Sequence, residues 1–221
     1  MMKKIVLRLL LGMGVGAVGY LFLYRLGYIM PISQMPEVLC GSRCTAQSYH
    51  QVSATLPVDH QEAVGKLLND DELNTKDVSL YVEKAASRLT LFHLGKAVKS
   101  YDIVLGTNPE GDKRREGDLK TPEGVFKVRD LYPHDTWSKF IWLDYPTSDS
   151  WRKHFAAKFS GQIGLLSTIG SEVGIHGVPE GADQWIADQK NWTWGCVSLT
   201  NADVNEIYKV IGRDTVIEIV P

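Results

Sequence analysis

From Asp77 onward apolar and polar positions alternate: Val78, Leu80 and Val82 share one side, and Leu89, Leu91 and His93 repeat the pattern after Ala85-Ala86-Ser87. A period of two marks a strand with one buried face, because successive side chains point to opposite sides. Two strands are therefore predicted, joined through Ala85-Ala86-Ser87, and Leu94-Gly95-Lys96 turns the second into a third, for which Tyr101 to Leu105 gives the apolar run. A long loop, Gly106 to Gly124, precedes a strand at Val125-Phe126-Lys127-Val128. Its length points to a functional loop beside a site rather than a plain connection. Two helices interrupt the β pattern. Ser148 is a candidate cap for a helix carrying Trp151, Phe155 and Phe159 at spacing four. Thr200 and Asp203 predict a capping box for a second helix, striped by Val204, Ile207, Tyr208 and Ile211 and ended by Gly212; Thr215 to Val220 then closes the domain as a strand.

The N-terminus carries another pattern. Ile5 to Tyr24 is apolar apart from Arg8 and follows Met1-Met2-Lys3-Lys4. A helix needs about 20 residues to cross the hydrocarbon core, and a positive flank stays in the cytoplasm. Residues 1–30 are therefore expected to form a cytoplasmic tip and one transmembrane helix, with the rest of the chain on the far side. No small-x-small site follows the run, and Arg25 ends it, so an uncleaved anchor is preferred to a signal peptide. Gly12, Gly14, Gly16 and Gly19 fall inside this run with no strand before them, which suits helix packing in a membrane and not a dinucleotide loop. Residues 31–76 read as a flexible stalk or linker, with a short helix suggested by Ala63, Val64, Leu67 and Leu68. The main folded domain is expected over residues 77–221.

Charge narrows the partners. The 221 residues carry a formal net charge of −2 with 23% charged residues, which gives no field to gather nucleic acid. Lys113-Arg114-Arg115 is followed by Glu116 and Asp118 and reads as a solvated loop. There is no His-Glu-x-x-His, no paired Cys-x-x-Cys and no P-loop, so neither a metal nor a nucleotide cofactor is implied. His93 and His134 are expected to be structural and His154 to lie on a helix surface. Cys40 and Cys44 are a candidate disulfide just beyond the apolar run, with free thiols as the other reading.

Cys196 lies far from that pair, in Trp194-Gly195-Cys196-Val197-Ser198-Leu199, and His176-Gly177 precedes it. An isolated Cys is commonly an inert small hydrophobe and an isolated His a satisfied core residue. Together they suffice for covalent acyl transfer, because the imidazole can take the thiol proton and leave a strong nucleophile near neutral pH. Backbone N–H groups around Gly195 and Cys196 are candidates for the developing oxyanion. Trp185, Trp192 and Trp194 crowd the approach to the thiol; packing is the simpler reading for Trp185, and Trp194 has the better claim to a substrate.

Three segments then occur in order: Gly117-Asp118-Leu119-Lys120-Thr121-Pro122-Glu123-Gly124, Ile175-His176-Gly177 and Gly195-Cys196-Val197. From about Asp77 to Val220 the chain resembles the L,D-transpeptidase (YkuD-like) family. The resemblance implies a mainly β, mixed β-sandwich catalytic domain with a few flanking helices, an exported enzyme and peptidoglycan stem peptides as substrate. It also implies Cys196 as nucleophile, His176 as general base and acid, and a backbone carbonyl, that of Gly177, to orient the imidazole; Asp183 and Asp188 are the side-chain alternatives. The usual family pattern has Ser-His before Gly-Cys and Arg two residues beyond. Here Thr193-Trp194 and Ser198 hold those places and become candidate substrate contacts. Together with Val197-Ser198-Leu199-Thr200-Asn201 and Leu143-Asp144-Tyr145-Pro146, this is closer to the YafK-like branch, some of whose members cut a peptidoglycan link.

Three functions follow as expectations. The first is an acyltransferase that passes a Cys196 thioester to an amine. The second is an amidase or peptidase that hydrolyses a stem-peptide or lipoprotein-peptidoglycan link. The third is a non-catalytic wall-binding module. The expected place is the bacterial inner membrane, single-pass, with the domain in the periplasm, and the expected partners are stem peptides, a wall-linked lipoprotein and the membrane, without nucleic acid or cofactor.

Overall fold

The computed structural model describes residue 14 and residues 16–40, 48–50, 62–68 and 73–221. The alternating run after Asp77 forms three antiparallel strands: β1 (Val78–Glu83), β2 (Arg88–His93) and β3 (Lys96–Asp102). Leu94 and Gly95, with φ of 49° and 75°, make the two-residue turn between β2 and β3, and two positive φ values give such a turn the twist of the strands it joins. β4 (Gly124–His134) pairs antiparallel with β5 (Ser138–Leu143), which pairs antiparallel with β6 (Gly174–His176). β7 (Val197–Ser198) lies parallel to β6, and β8 (Val216–Val220) lies between β1 and β4.

The strand order is β3-β2-β1-β8-β4-β5-β6-β7. β4 is the bend in this sheet. Its first residues, Gly124 to Lys127, pair with β8, and from Val128 it pairs with β5 through a bulge. Bulges add twist and bend the strand that carries them. The far ends then meet, because Val104, just past β3, exchanges both backbone hydrogen bonds with Ser198 of β7 (2.9 and 2.8 Å). The expected sandwich is thus one curled sheet, and its edge strand β7, which carries the end of the Gly-Cys-Val motif, is covered. Within the curl Leu80, Leu91, Ile141, Leu143, Ile217 and Ile219 are fully or almost fully buried, joined by Val204 and Ile207 from the helix Asn201–Val210.

Helices take chain order: α1 (Met35–Leu39), α2 (Val64–Leu68), α3 (Ser148–Phe159), α4 (Gln184–Ala187) and α5 (Asn201–Val210). Thr147, not Ser148, caps α3: its hydroxyl accepts from Ser150 N, and the Ser150 hydroxyl accepts from Thr147 N, completing a capping box. Trp151 is buried and Phe155 half-buried, but Phe159 is 87% exposed. Spacing four overshoots the helical repeat by about 40° per step, so a third member has rotated off the buried face. The same rotation corrects the expectation for His154, which is buried with Nδ1 2.6 Å from Arg114 O. Thr200 caps α5 by accepting from Asp203 N.

The end of the expected anchor segment and part of the expected stalk are docked. Gly27 O accepts from Ile169 N (3.1 Å), Ser148 donates to Glu37 (2.5 Å), and residues 48–50 lie across the outer face of β1 and β8. There His50 sits between Tyr81 and Phe92 (ring centroids 5.2 and 4.6 Å away), its Nδ1 2.8 Å from Glu218 and its Nε2 2.9 Å from Ser79. Polar residues on the outer face of a strand explain this, since Ser79 and Glu218 need partners once covered. Residues 16–25 are helical. No helix among the described residues is long and apolar enough to cross a membrane. The expected span from Ile5 to Tyr24 falls partly outside the described residues. Cys40 is disulfide-bonded and Cys196 is a free thiol; Cys44 lies outside the described residues.

Candidate active site

Strand register brings the thiol and the imidazole together. His176 ends β6 opposite Ser198 of β7, and Cys196 stands one side-chain alternation before Ser198, so Cys196 and His176 address the same face. Both line one cavity of about 890 Å³, in the usual size range for a small-ligand site. His176 Nδ1 lies 2.7 Å from Gly177 O. A carbonyl only accepts, so Nδ1 carries the proton and Nε2 is left with its lone pair. The Ser198 hydroxyl donates to the same carbonyl at 3.1 Å. Gly177 admits no side chain, because a Cβ there would meet Asn201 Oδ1 and Trp137 O (2.7 Å).

Aromatic rings fix the imidazole on its other sides. Trp137 stacks on it with centroids 4.4 Å apart and an interplanar angle of 23°, Phe140 lies parallel at 5.8 Å, and Trp192 meets it edge-on at 5.4 Å. This cage removes water, and burial holds the His176 pKa down to about 4 even though the Gly177 carbonyl raises it. Cys196 keeps a face toward the cleft, yet protein crowds its sulfur: burial pushes the thiol up to about 11, against the Gly174 N–H and the Lys113 charge. Its S–H points at Glu172 O, 3.7 Å away. The resting pair is therefore a neutral thiol beside a neutral imidazole. A thiol in this state reacts only as it gives up its proton.

Several candidate residues take other roles. Gly195 adopts φ 135°, where a Cβ would stand 2.6 Å from Lys120 O, so only glycine fits. Its N–H donates to Thr193 Oγ1 (3.2 Å) and is not free for an oxyanion, which leaves the Cys196 N–H as the backbone donor of this turn. Thr193 lines the cavity but is 4% exposed, and its hydroxyl donates to Cys196 O (2.7 Å), so it braces the turn that presents the thiol. Ser198 is wholly buried and acts on Gly177 O, not on a substrate. Trp194 is 85% exposed at the cleft rim. Neither alternative partner of the imidazole is in use: Asp183 accepts from Asn201 N (2.8 Å) and Asp188 from Gln184 (2.8 Å).

Further lining of the cleft comes from residues the sequence reading set aside. Lys113 is not solvated: its side chain is 5% exposed and paired with Asp118 at 2.9 Å, while Arg114 is half-buried against Asp112 (3.3 Å) and Arg115 is exposed. The signal was Asp118, three residues after Arg115, whose carboxylate gathers the turn. His134 lines the cleft with its ring stacked on Trp137 (4.4 Å, 7°), and its Nδ1 accepts from Thr136 N and Trp137 N. The aromatic positions of the β4–β5 hairpin, Trp137 and Phe140, could have been noticed from their density but not from a motif. Among the described residues no group of His, Cys, Asp or Glu is placed to hold a metal.

The family model of the L,D-transpeptidase catalytic domain, YkuD, matches residues 77–219. The chain belongs to this family. Among solved structures the chain is similar to Bd1075 of Bdellovibrio bacteriovorus (18% identity, 66% of this chain and 48% of that one, TM-score 0.47). The Enterococcus faecium L,D-transpeptidase is similar at 18% identity over 65% of this chain and 50% of its own, with a TM-score of 0.41. The helical cell shape determining protein Pgp2 of Campylobacter jejuni is similar at 20% identity over 73% and 56%, with a TM-score of 0.44. This L,D-transpeptidase domain protein therefore spans about half the length of those chains. No curated protein matches the sequence.

Proposed function

We propose that the protein is a peptidoglycan-modifying cysteine acyltransferase of the L,D-transpeptidase type. The observation that carries this reading is that Cys196, just before β7, and His176, at the end of the paired β6, line one cavity, with the imidazole tied to Gly177 O so that Nε2 is the base. The cleft accepts a stem peptide. As Cys196 Sγ attacks a peptide carbonyl, its proton passes to His176 Nε2 and a C–S bond forms. The Cys196 N–H faces the resulting oxyanion. His176 then protonates the departing amine as the C–N bond breaks, leaving a thioester and a neutral imidazole. An acceptor amine attacks the thioester, gives its proton to His176, and the proton returns to the thiolate as the new amide forms. Water in place of the amine gives hydrolysis, the second reading, which covers a stem-peptide or lipoprotein-peptidoglycan link.

The same reading places the domain in the periplasm, held to the bacterial inner membrane by the N-terminal apolar run. A fluorescent or enzymatic reporter fused after Pro221 that functions only in the cytoplasm would remove that placement. The activity itself is tested by incubating the protein with muropeptides and following products by mass spectrometry. New crosslinks support transfer, and loss of existing links supports hydrolysis. An unchanged product profile in which wild type and Cys196→Ala are indistinguishable leaves only a wall-binding module.

A further inference from the structure

Large apolar side chains stay exposed on the connection that leaves α3. Ser167 N donates to Gly164 O (3.0 Å), which closes a tight turn with Leu165 and Leu166 at its two central positions, 73% and 84% exposed. Such positions ordinarily hold Gly, Pro, Asn, Asp or Ser. Phe159, also exposed, ends α3 just before the turn. Gln162 N and Ile163 N fold the connection back onto that helix end by donating to Ala157 O (2.9 and 3.3 Å). From Phe159 to Ser171 there is no charged residue, in a chain that is 23% charged. An exposed apolar tip free of charge marks a surface that meets another apolar phase.

What lies beside the tip names that phase. The helix at residues 16–25 ends in a cap in which Gly27 N donates to Tyr24 O and Tyr28 N to Leu23 O (both 3.0 Å), with Gly27 at φ 74°. Gly27 O then accepts from Ile169 N (3.1 Å). Ile169 is three residues after Leu166, so no more than about 11 Å of chain separates the turn from this tie. A second tie lies farther back along the helix: the Tyr20 hydroxyl donates to Met30 O (3.3 Å) and accepts from Ile32 N (2.9 Å), so the chain leaving the helix returns alongside it. Leu21, Phe22 and Tyr24 of the helix are exposed, and Arg25 is the sole charged residue from 16 to 36.

Resting on the reading that the apolar run from Ile5 to Tyr24 anchors the protein in a membrane, we infer that the Gly164–Ser167 turn, with Phe159, docks the folded domain against that same bilayer. The two ties leave the domain little freedom to swing away: where the end of the helix meets the headgroups, Leu165 and Leu166 are held beside them. Tyr20, Tyr24 and Tyr28 recur at spacing four, and tyrosine favours the headgroup level; Arg25 among them suits lipid phosphates. Two leucines and a phenylalanine placed at that level leave water for the acyl boundary, as the apolar face of an interfacial helix does. Gly170, Ser171 and Glu172 follow directly and line the cleft, and Glu172 O faces the Cys196 thiol. Docking therefore holds this side of the cleft close to the bilayer, and the peptide that enters is one that comes to the membrane surface.

The test uses the full-length protein reconstituted in vesicles of phosphatidylethanolamine and phosphatidylglycerol, with an apolar, environment-sensitive fluorescent amino acid in place of Leu166. Its emission is expected to shift to the blue relative to the protein in mild detergent at the same label after denaturation in urea, and to lose intensity when the lipids are brominated in the upper acyl chain. Intensity unchanged by brominated lipid, in protein that stays with the vesicles through alkaline extraction, overturns the inference alone. So does a blue shift that brominated lipid does not quench and that fades as the protein-to-lipid ratio falls, which is what a second copy seated on this face gives. Release of the full-length protein by alkaline extraction overturns the membrane anchoring and this inference with it.

Discussion

Treatment of the folded protein with a small aromatic disulfide probes the state of Cys196 directly, because only a thiolate attacks the reagent. A thiol pushed up to about 11 has roughly one part in ten thousand ionised at pH 7, against about one in a hundred for the same thiol at its ordinary value of 9.0. The more basic thiolate is intrinsically more nucleophilic, and a Brønsted slope of 0.4–0.5 over two units returns about eightfold. The first effect wins, so Cys196 in the folded protein is expected to react roughly tenfold more slowly at pH 7 than in urea-unfolded protein. The assay is stopped-flow release of the aromatic thiol between pH 5 and 10, with Cys196→Ala subtracted. The logarithm of the rate is expected to rise about one unit per pH unit, and His176→Ala is expected to change it less than about threefold, since the neutral imidazole holds no standing charge near the sulfur. A fast, pH-independent plateau from pH 5 to 8 that disappears in His176→Ala would mean a preformed thiolate–imidazolium pair and would refute the reasoning.

Other expectations follow from single contacts. Ser198→Ala removes one of two donors to Gly177 O, and kcat should fall about fivefold, near 1 kcal/mol, while the melting temperature changes little. Thr147→Ala deletes the cap of α3, which does not line the cleft, so stability should drop by about 1 kcal/mol in a urea titration with kcat/KM unchanged. The strap at residues 48–50 should loosen in acid. Burial lowers the His50 pKa below its ordinary 6.5 even though Glu218 raises it, and Glu218, which burial raises, is brought below 4.5 by bonds from His50 and Ser48. Both folded-state values are depressed, so their stabilisation is present above the unfolded values and is lost as pH falls, first through His50 below about 6.5 and then through Glu218 below about 4.5. Melting temperatures measured from pH 8 to 4 should decline over that window in wild type and decline less in His50→Phe; a flat wild-type profile would remove the strap as an acid-sensitive element.

How much of this was readable from the chain depended on whether local pattern or distant contact decided each residue. Strands β1 and β2 followed from alternation, and α5 from its cap and stripe, because those signals are local. The strap and the docked stretch around Glu37 were read as a flexible stalk, and Gly27 as part of the anchor segment, since Ser48, His50 and Glu37 make sense only opposite Glu218, Ser79 and Ser148, more than 100 residues away in two of the three cases. At the site, the positions of Cys196, His176 and Gly177 were legible as motifs. The functions of Thr193 and Ser198 were not, because a hydroxyl bonded to Cys196 O or Gly177 O reads in sequence like one aimed at a ligand. Lys113 was hidden by its neighbours: a basic triplet resembles a solvated loop until the Asp118 turn folds one member inward. The cage of Trp137 and Phe140 comes from a hairpin with no motif, and it is the cage that drives the His176 pKa down.

The central claim is a covalent bond between Cys196 and the acyl part of a stem peptide, and intact-protein mass spectrometry of acid-quenched mixtures of protein and donor peptide tests it most directly. The account predicts a transient mass gain equal to the donor minus its departing amine, mapped to the peptide containing Cys196 and absent in Cys196→Ala. Turnover of the donor by Cys196→Ala at the wild-type rate, with no adduct in either protein, would contradict it.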